Sequence, residues 1–177
     1  MKRVLKIILI TIVTLAAVFF IAALFIPKTY HVERSITINA PREKVWSNVN
    51  SLHGLHSWSP WIEADPNVKI TYEGQDGTVG AVYHWIGNSD VGEGVQTISK
   101  IEQPNSFQTH IHFIKPMDGE SDANINLADE GTGTKVTWSL DGKDPYPMNV
   151  MVLFMDKFIG DQYTKGLTKL KTLCESK

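Results

Sequence analysis

Twenty consecutive residues, "IILITIVTLAAVFFIAALFI" from Ile7 to Ile26, carry no charge and are relieved only by Thr11 and Thr14. As a helix, such a run is about 30 Å long, which matches the hydrocarbon thickness of a bilayer. A cleaved signal peptide is the competing reading, but its apolar part is normally about 7 to 15 residues and is followed by small residues. This run is longer and ends in Leu-Phe-Ile-Pro-Lys, which favours an uncleaved single-pass anchor inserted through residues 4–26. The chain then divides into an N-terminal transmembrane anchor, 1–28, and one domain, 29–177. Lys2, Arg3 and Lys6 crowd the short leading side, whereas Lys28 and Arg34 are the nearest cations beyond the span. The positive-inside rule puts the N-terminus in the cytoplasm and the domain outside the cell membrane, periplasmic or extracellular. Arg42 and Lys44 also fall in the window that is counted, so the bias is modest and an inward-facing domain stays open.

Without the three leading cations the chain holds 14 Lys and Arg against 19 Asp and Glu, a formal charge of −5. Nucleic-acid binding needs a basic face, and no Lys/Arg cluster occurs outside the last helical segment, so nucleic acid is not an expected partner. The single cysteine, Cys174, excludes an intramolecular disulfide and a Cys-based zinc cage. Its place in an apolar stripe reads as a buried thiol.

Beyond the anchor the periodicity shifts from sheet to helix in a simple order. Val32, Ile36 and Ile38 alternate as in a half-buried strand, which Asn39 to Pro41 end. "PREKVWSNVNSL" then sets Val45, Val49 and Leu52 on one face of a short helix. "LHGLHSW" adds a further turn with a break expected at Gly54, and Pro60 disfavours a helical Ser59. Six strand-sized runs follow from Val68, separated by turn clusters such as "QDGTVG", "QPNS" and "DEGTGT", a spacing that favours antiparallel neighbours. Met151, Met155, Ile159, Tyr163, Leu167, Leu170 and Cys174 recur at three- and four-residue steps, one long amphipathic helix beginning near Pro147. Gly160 and Gly166 inside it need a reason, such as a close approach to the sheet or room for a cavity. The fold class is α+β: about seven antiparallel strands curled around a long C-terminal helix, with one or two short helices after the first strand and a single transmembrane helix before it.

The stretches "VERSITINAPREKVWSNV", "WSPW" with the following Asp65-Pro66, "VGAVYHWIGN" with "VGEG", "GTKVTWSLDG" and "FMDKFIGDQYTKGLTKLK" occur in that order across residues 30–175. In this the chain resembles the START-like, or SRPBCC, superfamily with its helix-grip fold, and within it the polyketide cyclase/dehydrase and lipid-transport group. The resemblance implies a deep pocket between the concave sheet face and the long helix, open to a small hydrophobic ligand.

The residues agree with that expectation. Tyr83 and Trp85, Ile111 and Phe113, Ile125 and Leu127, and Val136 and Trp138 alternate onto one face, opposed by Met151, Phe154, Met155, Phe158 and Tyr163. Most of these are core; Trp61, Tyr83, Trp85, Phe113, Met155 and Phe158 are singled out as ligand contacts, because large aromatics and adaptable Met suit an apolar pocket. Trp61 is placed on the pocket wall and Trp58 beneath the short helices. His110 and His112 share the face opposite Ile111 and Phe113, so no metal site is expected; His53 or His56 could reach the pocket mouth as a base, but a surface or capping role is the expected one. No cofactor motif and no nucleophile–base–orienter set is readable, so enzymatic activity is left open and no catalytic residue is assigned. Three functions are carried: a membrane-anchored module binding a lipid-like or other apolar molecule, which the residues support best; a cyclase- or dehydratase-type enzyme using the same pocket; and a protein-interaction module with a filled core.

Overall fold

The computed structural model describes residues 2–176. The apolar run forms α1 (Lys2–Phe25), whose side chains are exposed apart from Ala23; it is long and apolar enough to cross a membrane. Seven strands follow: β1 (Thr29–Ile38), β2 (Lys69–Glu73), β3 (Val82–Ile86), β4 (Glu93–Glu102), β5 (Ser106–Lys115), β6 (Gly119–Glu130) and β7 (Gly133–Lys143). They make one antiparallel sheet in the order β1-β7-β6-β5-β4-β3-β2, so among the described residues the only pairing of strands that are not consecutive in the chain is the return of β1 to β7.

Three short helices bridge β1 and β2: α2 (Arg42–Trp46), α3 (Leu52–Trp58) and α4 (Pro60–Ala64). Gly54, expected to break the second of these, lies in the first turn of α3, where its N–H donates to the N-cap Ser51 hydroxyl at 3.0 Å. A Cβ there would collide with the Asn48 carbonyl, so glycine serves close packing. Ser59 is extended as expected (φ −62°, ψ 126°), but Pro60 also starts α4 at its first position, where a missing N–H costs nothing.

A 3-10 turn (Met148–Met151) leads into α5 (Val152–Glu175), which lies across the concave face and buries Ile159, Tyr163, Leu167, Leu170 and Cys174. Gly160 gives way to the Arg34 guanidinium, which donates to the Asp156 carboxylate at 2.9 and 3.1 Å and to its backbone carbonyl at 3.0 Å. Gly166 lets Trp138 and Pro60 approach the helix. Phe154 corrects the sequence reading: it is 62% exposed, because at about 100° per residue it lies off the line through Met155, Ile159 and Tyr163. Met151 is likewise off the cavity wall, since the 3-10 turn interrupts the helical phase.

Register places Thr29 opposite Lys143. The start of β1 therefore shares one end of the sheet with the β3–β4, β5–β6 and β7–α5 connections. This is the α1 end.

Candidate functional site

The inner sheet face is organised in rows by strand register. The lowest cavity row is Phe107, Ile125 and Trp138; the next is Thr109, Ala123 and Leu140; the third is Ile111, Ser121 and Gly142. Along β6 the inward positions thus shrink toward the α1 end, from Leu127 and Ile125 to Ala123, Ser121 and Gly119. Below the lowest row the interior is filled by residues such as Ile98, Val136, Leu167 and Val49. Above it the small side chains cannot reach α5, and a cavity of about 850 Å³ remains.

Its closed end is aromatic. Trp138 stacks on Tyr163 of α5 with centroids 3.7 Å apart and meets Trp58 edge-on at 4.9 Å. Trp58 is fully buried, and its indole N–H donates to the Asn48 carbonyl at 3.0 Å, packing it beneath the short helices. Trp61 turns the other way onto the cavity wall, 5.9 Å from the Phe158 ring. The Trp85 ring packs against Gly94 of the neighbouring strand, where any Cβ would collide with it, and its indole N–H donates to the Val91 carbonyl at 3.2 Å. Phe113 meets Trp85 edge-on at 6.0 Å, and Tyr83 lies 5.5 Å from it. All six residues singled out from the sequence, Trp61, Tyr83, Trp85, Phe113, Met155 and Phe158, lie on this wall.

The wall has a few polar points. Tyr30 and Ser121 share a hydrogen bond of 3.1 Å, and the Gln96 amide donates to Thr109 at 2.6 Å. Of the two histidines of α3, His56 is the one that reaches the cavity. Its Nδ1 bonds to the Tyr72 hydroxyl, while its buried Nε2 has no partner among the described residues. Burial, reinforced by nearby His53, lowers its pKa to about 4, so the ring is neutral at pH 7 and a weak base. His53 instead pairs with Asp76 at 2.6 Å outside the cavity and stacks on Tyr72 at 3.8 Å, which holds that tyrosine against His56. Asp76 also accepts from the Leu52 and His53 N–H groups at the start of α3. At the α1 end Asp144 lines the cavity with one buried carboxylate oxygen that has no partner among the described residues, and burial raises its pKa.

His110 and His112 lie on the outer face, hydrogen-bonded to Asp122 at 2.8 Å and Asp118 at 3.1 Å. No group of three or more metal-ligating side chains converges among the described residues. Sequence reasoning missed Asp144, the neutral state of His56 and the β6 taper. The taper was visible as Gly-x-Ser-x-Ala-x-Ile-x-Leu, a strand face that loses volume step by step.

A seven-stranded antiparallel sheet gripping one long helix over a largely apolar cavity defines a START-like domain of the ligand-binding, helix-grip class. The chain belongs to the polyketide cyclase / dehydrase and lipid transport family, whose model matches residues 29–175. No curated protein sequence matches it. Among solved structures it is similar to a Nitrosospira multiformis protein at 22% identity, covering 82% of this chain and 97% of that one with a TM-score of 0.61. Ara h 8.0201 is similar at 14% identity, covering 84% of this chain and 99% of that one with a TM-score of 0.61. The major latex-like protein 151 of Panax ginseng follows at 14% identity, 85% and 100% coverage and a TM-score of 0.57. At such identities the likeness is one of fold.

Proposed function

We propose that the chain is a single-pass membrane protein whose domain, residues 29–177, takes up a small lipid-like or other apolar molecule between sheet and α5. The observation that carries this is the tapered cavity, whose volume of about 850 Å³ falls within the roughly 300–1,000 Å³ of small-molecule sites. Trp61, Tyr83, Trp85, Phe113, Met155 and Phe158 are its apolar contacts, and His56 Nε2 offers one hydrogen bond to a polar group on an otherwise apolar ligand. The α1 anchor keeps the cavity beside a store of such molecules, which raises their effective concentration without further contacts. An open cavity of this size weighs against an interaction module with a filled core.

Two measurements on the gently extracted full chain test the proposal. Native mass spectrometry is expected to show a co-purified apolar ligand, and tryptophan emission should respond to fatty acids or phospholipids, since Trp61 and Trp85 line the wall. No bound mass and no response to any ligand class would refute it. The side of the membrane is tested by protease treatment of spheroplasts, where digestion without breaking the membrane is the expected result. Acid–base chemistry on an apolar substrate is a second reading, favoured by the half-buried Asp144 carboxyl, one oxygen of which is enclosed and whose pKa burial raises, beside the same cavity. Asp144→Asn separates the two: ligand uptake survives it, whereas turnover of a substrate would not.

A further inference from the structure

The last turns of α1 do not end in a loose linker. Asn149, fully buried, donates from Nδ2 to the Ala23 carbonyl at 2.7 Å and to the Ile26 carbonyl at 2.8 Å, satisfying groups that a helix C-terminus leaves unpaired. Tyr146 donates to the Phe20 carbonyl at 3.4 Å with its ring 6.3 Å from that of Phe20, and the Asp144 N–H donates to the Lys28 carbonyl at 2.8 Å. The segment 144–149 therefore runs alongside α1 from Ile26 back to Phe20, a depth of about 9 Å at 1.5 Å per residue. Phe20 is inside the apolar run, so this depth reaches from the headgroup level toward the acyl chains. Asp144, Pro145 and Met148 of the same segment line the cavity. The cavity rim is thus fastened at the height of the membrane surface.

The exposed apolar side chains are distributed accordingly. Outside α1, large ones left open gather at the α1 end, with Ile86 and Ile114 at strand ends, Met117, Tyr146 and Met148 in its loops, and Leu153, Phe154 and Phe158 on the first two turns of α5; Tyr72, Val79 and Leu173 are the exceptions. Phe158 is 55% exposed and also lines the cavity, so the patch runs into the mouth. Some nearby charges are paired, Lys115 with Glu93, His112 with Asp118, Lys157 with Asp161 and Arg34 with Asp156. Lys28 and Lys143, without an ion pair among the described residues, share this end with Asp144 and Glu120 of the opposite sign. The patch therefore offers apolar insertion, with charges of both signs around it and no net basic field for anionic headgroups.

We infer that the cavity mouth opens onto the lipid surface of the leaflet where α1 ends, with Met117, Met148, Leu153, Phe154 and Phe158 seated in the interface. The ligand then passes between bilayer and cavity without crossing water. This rests on the reading of α1 as a membrane anchor, and the test separates the two. Single-cysteine labels carrying an environment-sensitive fluorophore are placed by Val13→Cys in α1, Phe154→Cys and Met117→Cys at the rim, and Lys135→Cys at the far end of the sheet, with buried Cys174 unlabelled. Each full-length variant is reconstituted in phosphatidylcholine vesicles containing nitroxide-labelled phosphatidylcholine. Labels at 13, 154 and 117 are expected to lose emission by about twofold or more, unchanged in high salt, while the label at 135 keeps it. Quenching at 13 with none at 154 and 117 overturns the inference, and is the outcome if a protein partner covers the patch. No quenching at 13 overturns the anchor reading itself, and the inference with it.

Discussion

Acidification should destabilise the domain through His56, and replacing that residue with Gln should remove the effect. Burial lowers the His56 pKa from its ordinary 6.5 to about 4. Between these values the unfolded chain binds a proton that the folded chain refuses, so stability is intact above pH 6.5, falls as the pH drops, and levels off below about 4. At about 1.4 kcal/mol for each pH unit of separation, the loss is about 3 kcal/mol. Facing the ring are His53 from α3, Tyr72 and Tyr83 from β2 and β3, and Asp76 from the turn between them. The Asp76 carboxyl stays below its ordinary range because hydrogen bonds from His53 and three backbone N–H groups outweigh its burial, so its contribution is lost only under more acidic conditions. Asp144 titrates in wild type and variant alike and cancels in the difference. Urea unfolding of the detergent-solubilised full chain, followed by tryptophan emission at pH 7 and pH 4.5, measures that difference. With about 1–3 kcal/mol per molar urea, the wild-type midpoint should fall by about 1 M or more beyond that of His56→Gln. Parallel losses in the two proteins would refute a buried, neutral imidazole at the cavity wall.

Three other substitutions probe the remaining structural claims. Ala123→Leu fills the tapered part of the cavity: binding of a fatty acid, read by tryptophan emission, should disappear while the urea midpoint holds or rises. Gly94→Ala drives a Cβ into the Trp85 indole and the His112 carbonyl of β5, at an overpacking cost of about 1–3 kcal/mol, and should change both the emission spectrum and the affinity for the same probe. Asn149→Ala leaves the Ala23 and Ile26 carbonyls without their donor, a local loss of about 1–3 kcal/mol, visible as faster amide exchange over 144–151 with β5 to β7 unchanged.

The elements that were legible from the sequence are those whose signal is local. Strand alternation put Tyr83, Trp85 and Phe113 on the inner face, and helical spacing put Met155 and Phe158 on the facing wall. Trp61 was legible because Pro60 forces Ser59 out of the helix and separates it from Trp58. Where one residue type has two local uses, the sequence was ambiguous. Pro60 both ends α3 and starts α4, and Gly54 looked like a break where it allows close packing against Asn48. Phe154 was misplaced because a one-residue change of phase moves a helical side chain by about 100°.

By itself, then, the sequence determined the anchor-like run, the number and period of the strands, the long amphipathic helix, and even the shrinking inner face of β6. Only the tertiary structure decided what these amount to. The β6 taper becomes a cavity because register sets Ala123 beside Thr109 and Leu140, and Ser121 beside Ile111 and Gly142. His56 becomes a neutral wall group because Tyr72 and Tyr83 close over it, and Asn149 becomes a clamp because the chain returns to α1 after more than a hundred residues. Local periodicity encodes which way a side chain faces; what it meets there depends on contacts between distant segments, and those form only when the sheet closes on its helix.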